Sequence, residues 1–206
     1  MGADRRIFQN IKLGSAFRMH YLDWLMPNEN ESIESYAKRM SERIDTSQPY
    51  ALVGLSFGGV IACEISRFLS PEKIILVSSI STRDEIPWYY KLARILKMNK
   101  LPFLIYFKSS NRIFYWLLGA KSEEEKILIK QVKKDSDPAI TFWAIDRFLN
   151  WQNQQRPQNI YHIHGTSDRI LPIRFVQPDK VVKGGSHFMI FNMHQRISEL
   201  IESTLK

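Results

Sequence analysis

Short apolar runs alternate along the chain with stretches of helical periodicity. Five apolar runs have the length and composition of buried strands, at residues 17–21, 50–55, 73–77, 160–164 and 180–183. Three stretches space their apolar residues as amphipathic helices do, at residues 33–44, 57–69 and 190–205. Strands that alternate with helices form a mostly parallel sheet covered on both faces. The pattern therefore predicts an α/β fold, with ligand chemistry at the carboxyl ends of the strands.

The middle of the chain interrupts this alternation. Between Ser81 and Lys134 there are 12 Lys or Arg and five Asp or Glu, so this stretch carries +7 of the net charge of +8. It is also rich in aromatic side chains, for example Trp88 and Trp116. A basic, aromatic stretch with helical spacing predicts a separate element. We therefore divide the chain into a core, residues 1–80 and 158–206, and a helical insert, residues 81–157.

Length and composition exclude several classes of protein. A chain of 206 residues fits one domain with an insert, and 44% hydrophobic with 12% aromatic residues excludes a disordered chain. The longest apolar stretches fall short of the roughly 20 residues that span a bilayer. The single Cys63 cannot form an internal disulfide, which suits a reducing compartment. We expect a cytoplasmic protein without a transmembrane segment.

The segment Gly54-Leu55-Ser56-Phe57-Gly58 lies where a predicted strand ends and a predicted helix begins. A nucleophilic serine must project from a tight turn there, and small residues two before and two after it let strand and helix approach. The start of the helix also directs the backbone N–H of Phe57 toward a developing oxyanion. The segment predicts Ser56 as a nucleophile and Phe57 as an oxyanion donor.

A serine hydroxyl needs a histidine to take its proton and an acid to orient that histidine. Asp168 follows the strand at 160–164, and His187 follows the strand at 180–183. Both loops lie at the edge of the sheet that carries Ser56. The order Ser, Asp, His is that of a serine triad on an α/β sheet. We expect Asp168 to orient His187, the general base.

Three segments together resemble the motifs of capped, esterase-like or lipase-like serine enzymes of the α/β-hydrolase superfamily, namely residues 54–58, 164–172 and 184–188. The resemblance implies Ser56 as nucleophile, Asp168 as orienting acid and His187 as general base. It also implies that the insert forms a helical cap over the site. No cofactor and no metal belong to this chemistry.

The beginning of the chain resembles the oxyanion loop of that superfamily, which follows a strand ending in His-Gly. Met1 falls at the position whose backbone amide is the second oxyanion donor, and the strand that precedes it is absent from the sequence. We therefore expect the fold to lack its N-terminal strands. A version extended by one strand is expected to be more active or more stable.

Other residues invite weaker hypotheses. Trp143 and Trp151 are candidates to bind substrate as part of an apolar pocket, although packing within the cap explains them as well. His162 and His164 with Asp168 suggest a metal site, but the acid lies four residues beyond the second histidine, where metallohydrolase motifs have two. We expect no metal there.

The leading functional hypothesis is a serine hydrolase that cleaves a carboxylic ester or thioester through an acyl-enzyme. An alternative is a thioesterase or acyltransferase whose anionic carrier docks on the basic cap. A noncatalytic binding protein of the same fold is disfavoured by the complete triad. The expected partner is a small acyl substrate, with weak contact between the cap and an anionic surface. Basic faces are often only solvated, so we expect no nucleic acid.

Overall fold

The computed structural model describes residues 4–95 and 111–206. In this part of the chain a parallel sheet has four strands in the order β1 (Ala51–Leu55), β2 (Lys73–Val77), β3 (Ile160–Gly165) and β4 (Lys180–Val182). In the register, Gly54 lies opposite Leu76, which lies opposite His162. The carboxyl ends of the strands thus meet at one edge. Four of the five predicted strands and their parallel arrangement are confirmed.

Helices cover this sheet and fill the insert. The described residues form α1 (Ile33–Ser41), α2 (Phe57–Ile65), α3 (Trp88–Ile95), α4 (Asn111–Leu118), α5 (Glu123–Asp135), α6 (Pro138–Leu149), α7 (Met189–Asn192) and α8 (His194–Leu205). Three 3₁₀ turns lie at Arg5–Phe8, Arg83–Glu85 and Ile173–Phe175. Within the described ranges we find no helix with the length and apolar composition that crossing a bilayer requires.

The strand predicted at residues 17–21 is wrong, because these residues have no regular secondary structure. A strand must pair its backbone N–H and C=O groups with a neighbour, and no described strand lies beside this segment. Phe17 and Met19 are only half-buried, and the ring of Tyr21 packs on Phe8 at 6.4 Å between centroids. Apolar composition alone was insufficient to form a strand here.

All three predicted helices are shorter than expected. The helix predicted at 33–44 ends at Ser41. The helix predicted at 57–69 ends at Ile65 and continues as turns, in which Arg67 N–H donates to the carbonyl of Glu64. The terminal helix is interrupted at Met193, which separates α7 from α8. The helical spacing of the apolar residues continues past these points, so the sequence pattern did not predict where the helices end.

The two faces of the sheet bury separate apolar clusters. Ile74 and Leu76 of β2 pack with α1, α2 and α6, whereas Ile75 and Val77 pack with α5, α7, α8 and the first 3₁₀ turn. Successive side chains of a strand point to opposite faces, so β2 contributes to both clusters. Both faces are therefore covered, as the pattern predicted. Since α5 and α6 also join these clusters, part of the insert packs directly on the core.

Candidate active site

Ser56 occupies the sharp turn between β1 and α2. Its backbone has φ of 52°, in the left-handed region that side chains other than glycine rarely adopt. The N–H of Ser56 donates to the carbonyl of Val77 at 3.0 Å. Its carbonyl accepts from the hydroxyl of Ser79 at 2.6 Å and from the N–H of Gly59 at 2.9 Å. The strained residue is therefore held from both sides, which keeps its side chain pointing out of the turn.

Glycines allow strand and helix to approach at this turn. A Cβ atom at Gly54 would lie 2.5 Å from the carbonyl oxygen of Gly58 and from the backbone of Gly59. A Cβ atom at Gly59 would lie 2.3 Å from the hydroxyl oxygen of Ser79. At Gly58, by contrast, it would meet nothing within 4 Å. The steric role expected of Gly54 is confirmed, while the one expected of Gly58 is wrong and belongs to Gly59.

The structure brings Ser56, His187 and Asp168 together. His187 Nε2 lies 3.0 Å from Ser56 Oγ, and His187 Nδ1 lies 2.8 Å from Asp168 Oδ2. The other carboxylate oxygen of Asp168 accepts from the N–H groups of Ile170 and Leu171 at 2.9 and 2.8 Å. Asp168 and His187 are buried and Ser56 is half-buried. The carboxylate is thus fixed by its own loop and can hold the imidazole in one orientation.

The surroundings of Asp168 favour its ionised form. Burial by itself would raise the pKa of this carboxyl group. The charge and hydrogen bond of His187, the charge of His164 and the N–H of Leu171 together outweigh burial, so the pKa lies below its usual value. At neutral pH Asp168 is therefore a carboxylate that can only accept hydrogen bonds.

Of the two predicted oxyanion donors, Phe57 and Met1, only Phe57 lies among the described residues. Phe57 is the first residue of α2, so its N–H has no acceptor within the helix and lies beside the serine. Met1 lies outside the described residues. The ring of Phe57 stands between Trp24, stacked at 5.8 Å, and Trp143, edge-on at 5.9 Å. The backbone N–H at the start of α2 is thus a free donor, while the buried ring of Phe57 packs into the core.

The two predicted substrate-binding tryptophans lie in different places. Trp143 is buried, and its indole N–H donates to the carbonyl of Glu31 at 2.9 Å. Its ring contacts Phe57, the residue after Ser56 in the sharp turn between β1 and α2, which we call the elbow. Trp151 is also buried, and its N–H donates to the carboxylate of Glu64 at 2.7 Å. Glu64 lies about two helical turns beyond Ser56 along α2. The structure brings Trp143 near the turn and anchors Trp151 farther down the helix.

Residues of the insert hold the loop that carries Asp168, which the sequence did not predict. The hydroxyl of Tyr90 on α3 donates to the carbonyl of Ile170 at 3.1 Å. The guanidinium of Arg169 donates to the carbonyl of Trp116 on α4 at 2.7 Å and lies 4.6 Å from the centre of its ring. Two insert helices are thereby attached to residues immediately after Asp168.

The loop that carries His187 is attached to the same helix. The N–H of Phe188 donates to the carbonyl of Leu118, the last residue of α4, at 3.1 Å. Gly119 follows with φ of 79°, and a Cβ atom there would lie 2.3 Å from Cβ of Ser186. The end of α4 therefore packs against both neighbours of His187.

Solved structures with a similar fold exist, although no family model and no curated protein matches the sequence. A hydrolase from Oleispira antarctica superposes with a TM-score of 0.73 at 13% identity, over 97% of this chain and 86% of that one. An esterase from Exiguobacterium antarcticum gives a TM-score of 0.60 at 16% identity, over 85% of this chain and 74% of the other.

A third similar structure is described as a member of a superfamily. An epoxide hydrolase of the α/β-hydrolase superfamily, from metagenomes of hot environments, gives a TM-score of 0.57 at 14% identity, over 85% of this chain and 74% of the other. Likeness at this identity concerns the arrangement of the backbone. The parallel sheet, the sharp turn at Ser56 and the loops after β3 and β4 agree with it. The protein has the α/β-hydrolase fold.

Proposed function

We propose that the protein is a serine hydrolase that cleaves a carboxylic ester or thioester through an acyl-enzyme. The observation that carries this proposal is the chain of contacts from Ser56 Oγ to His187 Nε2, 3.0 Å, and from His187 Nδ1 to Asp168 Oδ2, 2.8 Å. Such a chain lets imidazole take a proton from the serine while the carboxylate stabilises the imidazolium that forms. The fold supports the same conclusion, because the structures it resembles are those of hydrolases and esterases.

The reaction takes place in two halves. Ser56 Oγ attacks the acyl carbon while its proton passes to His187 Nε2, and the oxyanion that forms accepts from the N–H of Phe57. The tetrahedral intermediate expels the alcohol or thiol, which leaves with the proton from His187. Water then attacks the acyl-enzyme, again giving a proton to His187, and releases the acid and free Ser56. No electron transfer and no cofactor is involved.

We also propose that the insert, residues 81–157, acts as a cap that shapes the acyl site. The contacts of α3 and α4 with the loops of Asp168 and His187 support this role. The excess of basic residues in the insert supports, as a second candidate, a thioesterase or acyltransferase that receives its acyl group from an anionic carrier.

Covalent labelling tests the proposed nucleophile. A serine-directed fluorophosphonate should react with the folded protein at Ser56, because its histidine makes it far more nucleophilic than the exposed serines. Mass spectrometry locates the adduct, and Ser56→Ala should abolish it. A panel of chromogenic esters and thioesters of increasing acyl length then identifies the substrate class. An adduct at another serine, or none on the folded protein, would contradict the proposal.

The role of the acid separates a hydrolase from a binding protein of the same fold. Asp168→Asn keeps the shape of the side chain but favours the wrong tautomer of His187, so kcat should fall about 10⁴-fold. Circular dichroism should show the native fold in this variant. If Asp168→Asn retains the turnover of the wild type, Asp168 does not orient the general base.

A further inference from the structure

Two histidines behind the triad are unused by this mechanism. His162 and His164 lie two residues apart on β3 and so share a face of the sheet. Neither is exposed to solvent, and their rings meet edge to face at 5.1 Å between centroids. His162 Nε2 lies 3.1 Å from His164 Nδ1. They form a buried pair, in which His164 lies next to Asp168 of the triad.

The partners of the pair determine where its protons lie. His164 Nε2 is 2.7 Å from the carbonyl oxygen of Leu171, which can only accept, so Nε2 carries a proton. In the neutral ring Nδ1 then has a lone pair, which must accept from Nε2–H of His162. This leaves His162 Nδ1 unprotonated. Among the described residues that atom makes no hydrogen bond of normal geometry, and the influence of the Ser79 backbone on the ring is smaller than that of burial.

Burial keeps the pair uncharged. It lowers the pKa of His162 to about 3 and also lowers the pKa of His164. The charges of His164 and Arg156 lower the pKa of His162 further, while the backbone of Ser79 and the charge of Asp168 raise it. Burial outweighs the opposing contributions.

His164 is also surrounded by ionisable groups. Asp168 and Glu85 favour its protonated form, whereas His187 disfavours it, and its second ring nitrogen contacts His162. Burial again prevails, so both rings are neutral at pH 7 and each has its proton on Nε2.

This arrangement points an N–H group at the acid of the triad. His164 Nε2 lies 3.5 Å from Asp168 Oδ2, which is the oxygen that receives Nδ1–H of His187 at 2.8 Å. Its N–H donates to the carbonyl of Leu171, and Oδ2 of Asp168 lies beside the same ring nitrogen at 3.5 Å. With the opposite tautomer a lone pair would face both oxygens and repel them. The carbonyl of Leu171 and the Nε2–H of His162 together favour this tautomer of His164, which is the one that places an N–H beside the carboxylate.

We propose that His164 is a positioning residue of the triad and that His162 fixes its tautomer. The proposal rests on the proposed function. His164 holds Oδ2 of Asp168 in place and, as a neutral donor, withdraws part of the negative charge that would otherwise stabilise protonated His187.

The tautomers are measurable without any substrate. In ¹⁵N-labelled wild-type protein at pH 7, long-range ¹H–¹⁵N correlation spectra should show both rings neutral and protonated on Nε2. His162→Phe and His164→Gln should each remove one set of signals, which assigns the two rings among the five histidines of the chain. An imidazolium at either position, or a proton on Nδ1 of a neutral His164, would overturn the proposal, whatever the activity of the protein.

The effect on the reaction is measured with two substitutions at one position. His164→Leu removes the donor, so kcat should fall about 10-fold and the acidic limb of the kcat/KM profile should move up by about half a pH unit. His164→Gln restores an N–H at similar reach and should return the limb toward its wild-type position. A purely structural role would change kcat without moving the limb.

A distant histidine provides the control. His194, whose ring contacts the carbonyl of Phe191, can be changed to Gln with no expected effect on the profile. If His164→Leu folds, is labelled at Ser56 and has the acidic limb of the wild type, the proposal is wrong while the proposed function stands. If wild-type Ser56 is not labelled, the proposed function fails, and the tautomer measurement still decides the structure of the pair.

Discussion

The two sides of the candidate site are built differently. Ser56 is held by residues close to it in the core, through the approach of Gly54 to the start of α2 and the hydrogen bond from Ser79. The loops of Asp168 and His187 are held from outside the core, by Tyr90 on α3 and by the end of α4. The turn at Ser56 therefore depends on contacts within the core, whereas the loops of Asp168 and His187 also depend on long-range contacts with the insert.

This difference suggests how the two sides respond to change. The elbow consists of backbone atoms in contact, so a single added methyl group has nowhere to go. The acid and base loops are attached by a few hydrogen bonds and one ring contact, each of which contributes about 1 kcal/mol. Damage to the elbow should destabilise the fold, while damage to the attachments should reduce turnover in a protein that still folds.

The largest effect is expected at the elbow, from Gly54→Ala. Its Cβ atom would lie 2.5 Å from backbone atoms of Gly58 and Gly59, which cannot move independently of α2. We expect a loss of at least about 3 kcal/mol in the free energy of unfolding, measured with urea. Gly58→Ala is the matched control, since its Cβ atom meets nothing within 4 Å and stability should stay within about 0.5 kcal/mol. Equal losses in both variants would mean that the close approach does not govern the elbow.

The next effect tests the attachment of the insert to the base loop. In Gly119→Ala the new Cβ atom would lie 2.3 Å from Cβ of Ser186, the residue before His187. We expect kcat to fall about 10- to 100-fold, because small displacements of a catalytic group cost that much. Gly184→Ala is the control: its φ of 74° imposes similar backbone strain, but its Cβ atom meets nothing within 4 Å. If both variants lose the same activity, strain rather than contact with the insert explains the loss.

A smaller effect, on the pH dependence of stability, is expected from the two buried histidines near Asp168. The pKa of His162 is lowered to about 3 and that of His164 is lowered too, so below about pH 6.5 the unfolded chain binds protons that the folded one does not. Stability should therefore fall as pH falls from about 6.5 toward 4.5, by up to about 1.4 kcal/mol per pH unit for each histidine.

Urea unfolding at pH 7, 6 and 5 measures this slope. His162→Phe should have a shallower slope than the wild type because one of the two histidines is gone. His194→Phe should keep the slope of the wild type, since this histidine lies on α8 away from the pair. A stability that does not change between pH 7 and 5 would show that the pair is not held neutral.

The smallest effect concerns the charge of the insert. If the basic residues of the insert, such as Lys91 and Arg112, attract the substrate, kcat/KM for an anionic or carrier-linked ester should fall about two- to threefold between 0.05 and 0.2 M salt. A neutral ester of the same acyl group should be much less sensitive. Equal salt dependence would mean that these charges serve solubility and do not reach the substrate.

The sequence by itself determined most of the strands and helices of the fold and predicted the three residues that meet in the candidate site. Buried parallel strands are continuous apolar runs, so β1 to β4 were visible in the sequence, and their alternation with helices predicted the covered sheet. Ser56, Asp168 and His187 were found because each follows a strand, and the ends of parallel strands meet at one edge. These features depend on local composition and on the order of elements.

The tertiary structure alone decided which contacts complete that frame. Residues 17–21 have the composition of a strand but no strand beside them, Gly59 rather than Gly58 meets Ser79, and His164 faces Asp168 across the turn after β3. Tyr90 and the end of α4 reach the loops of Asp168 and His187 from about 50 to 80 residues away in the chain. Each of these outcomes depends on which surfaces meet after folding. The sequence does not show this, because the spacing of residues along the chain does not tell which distant residues come into contact.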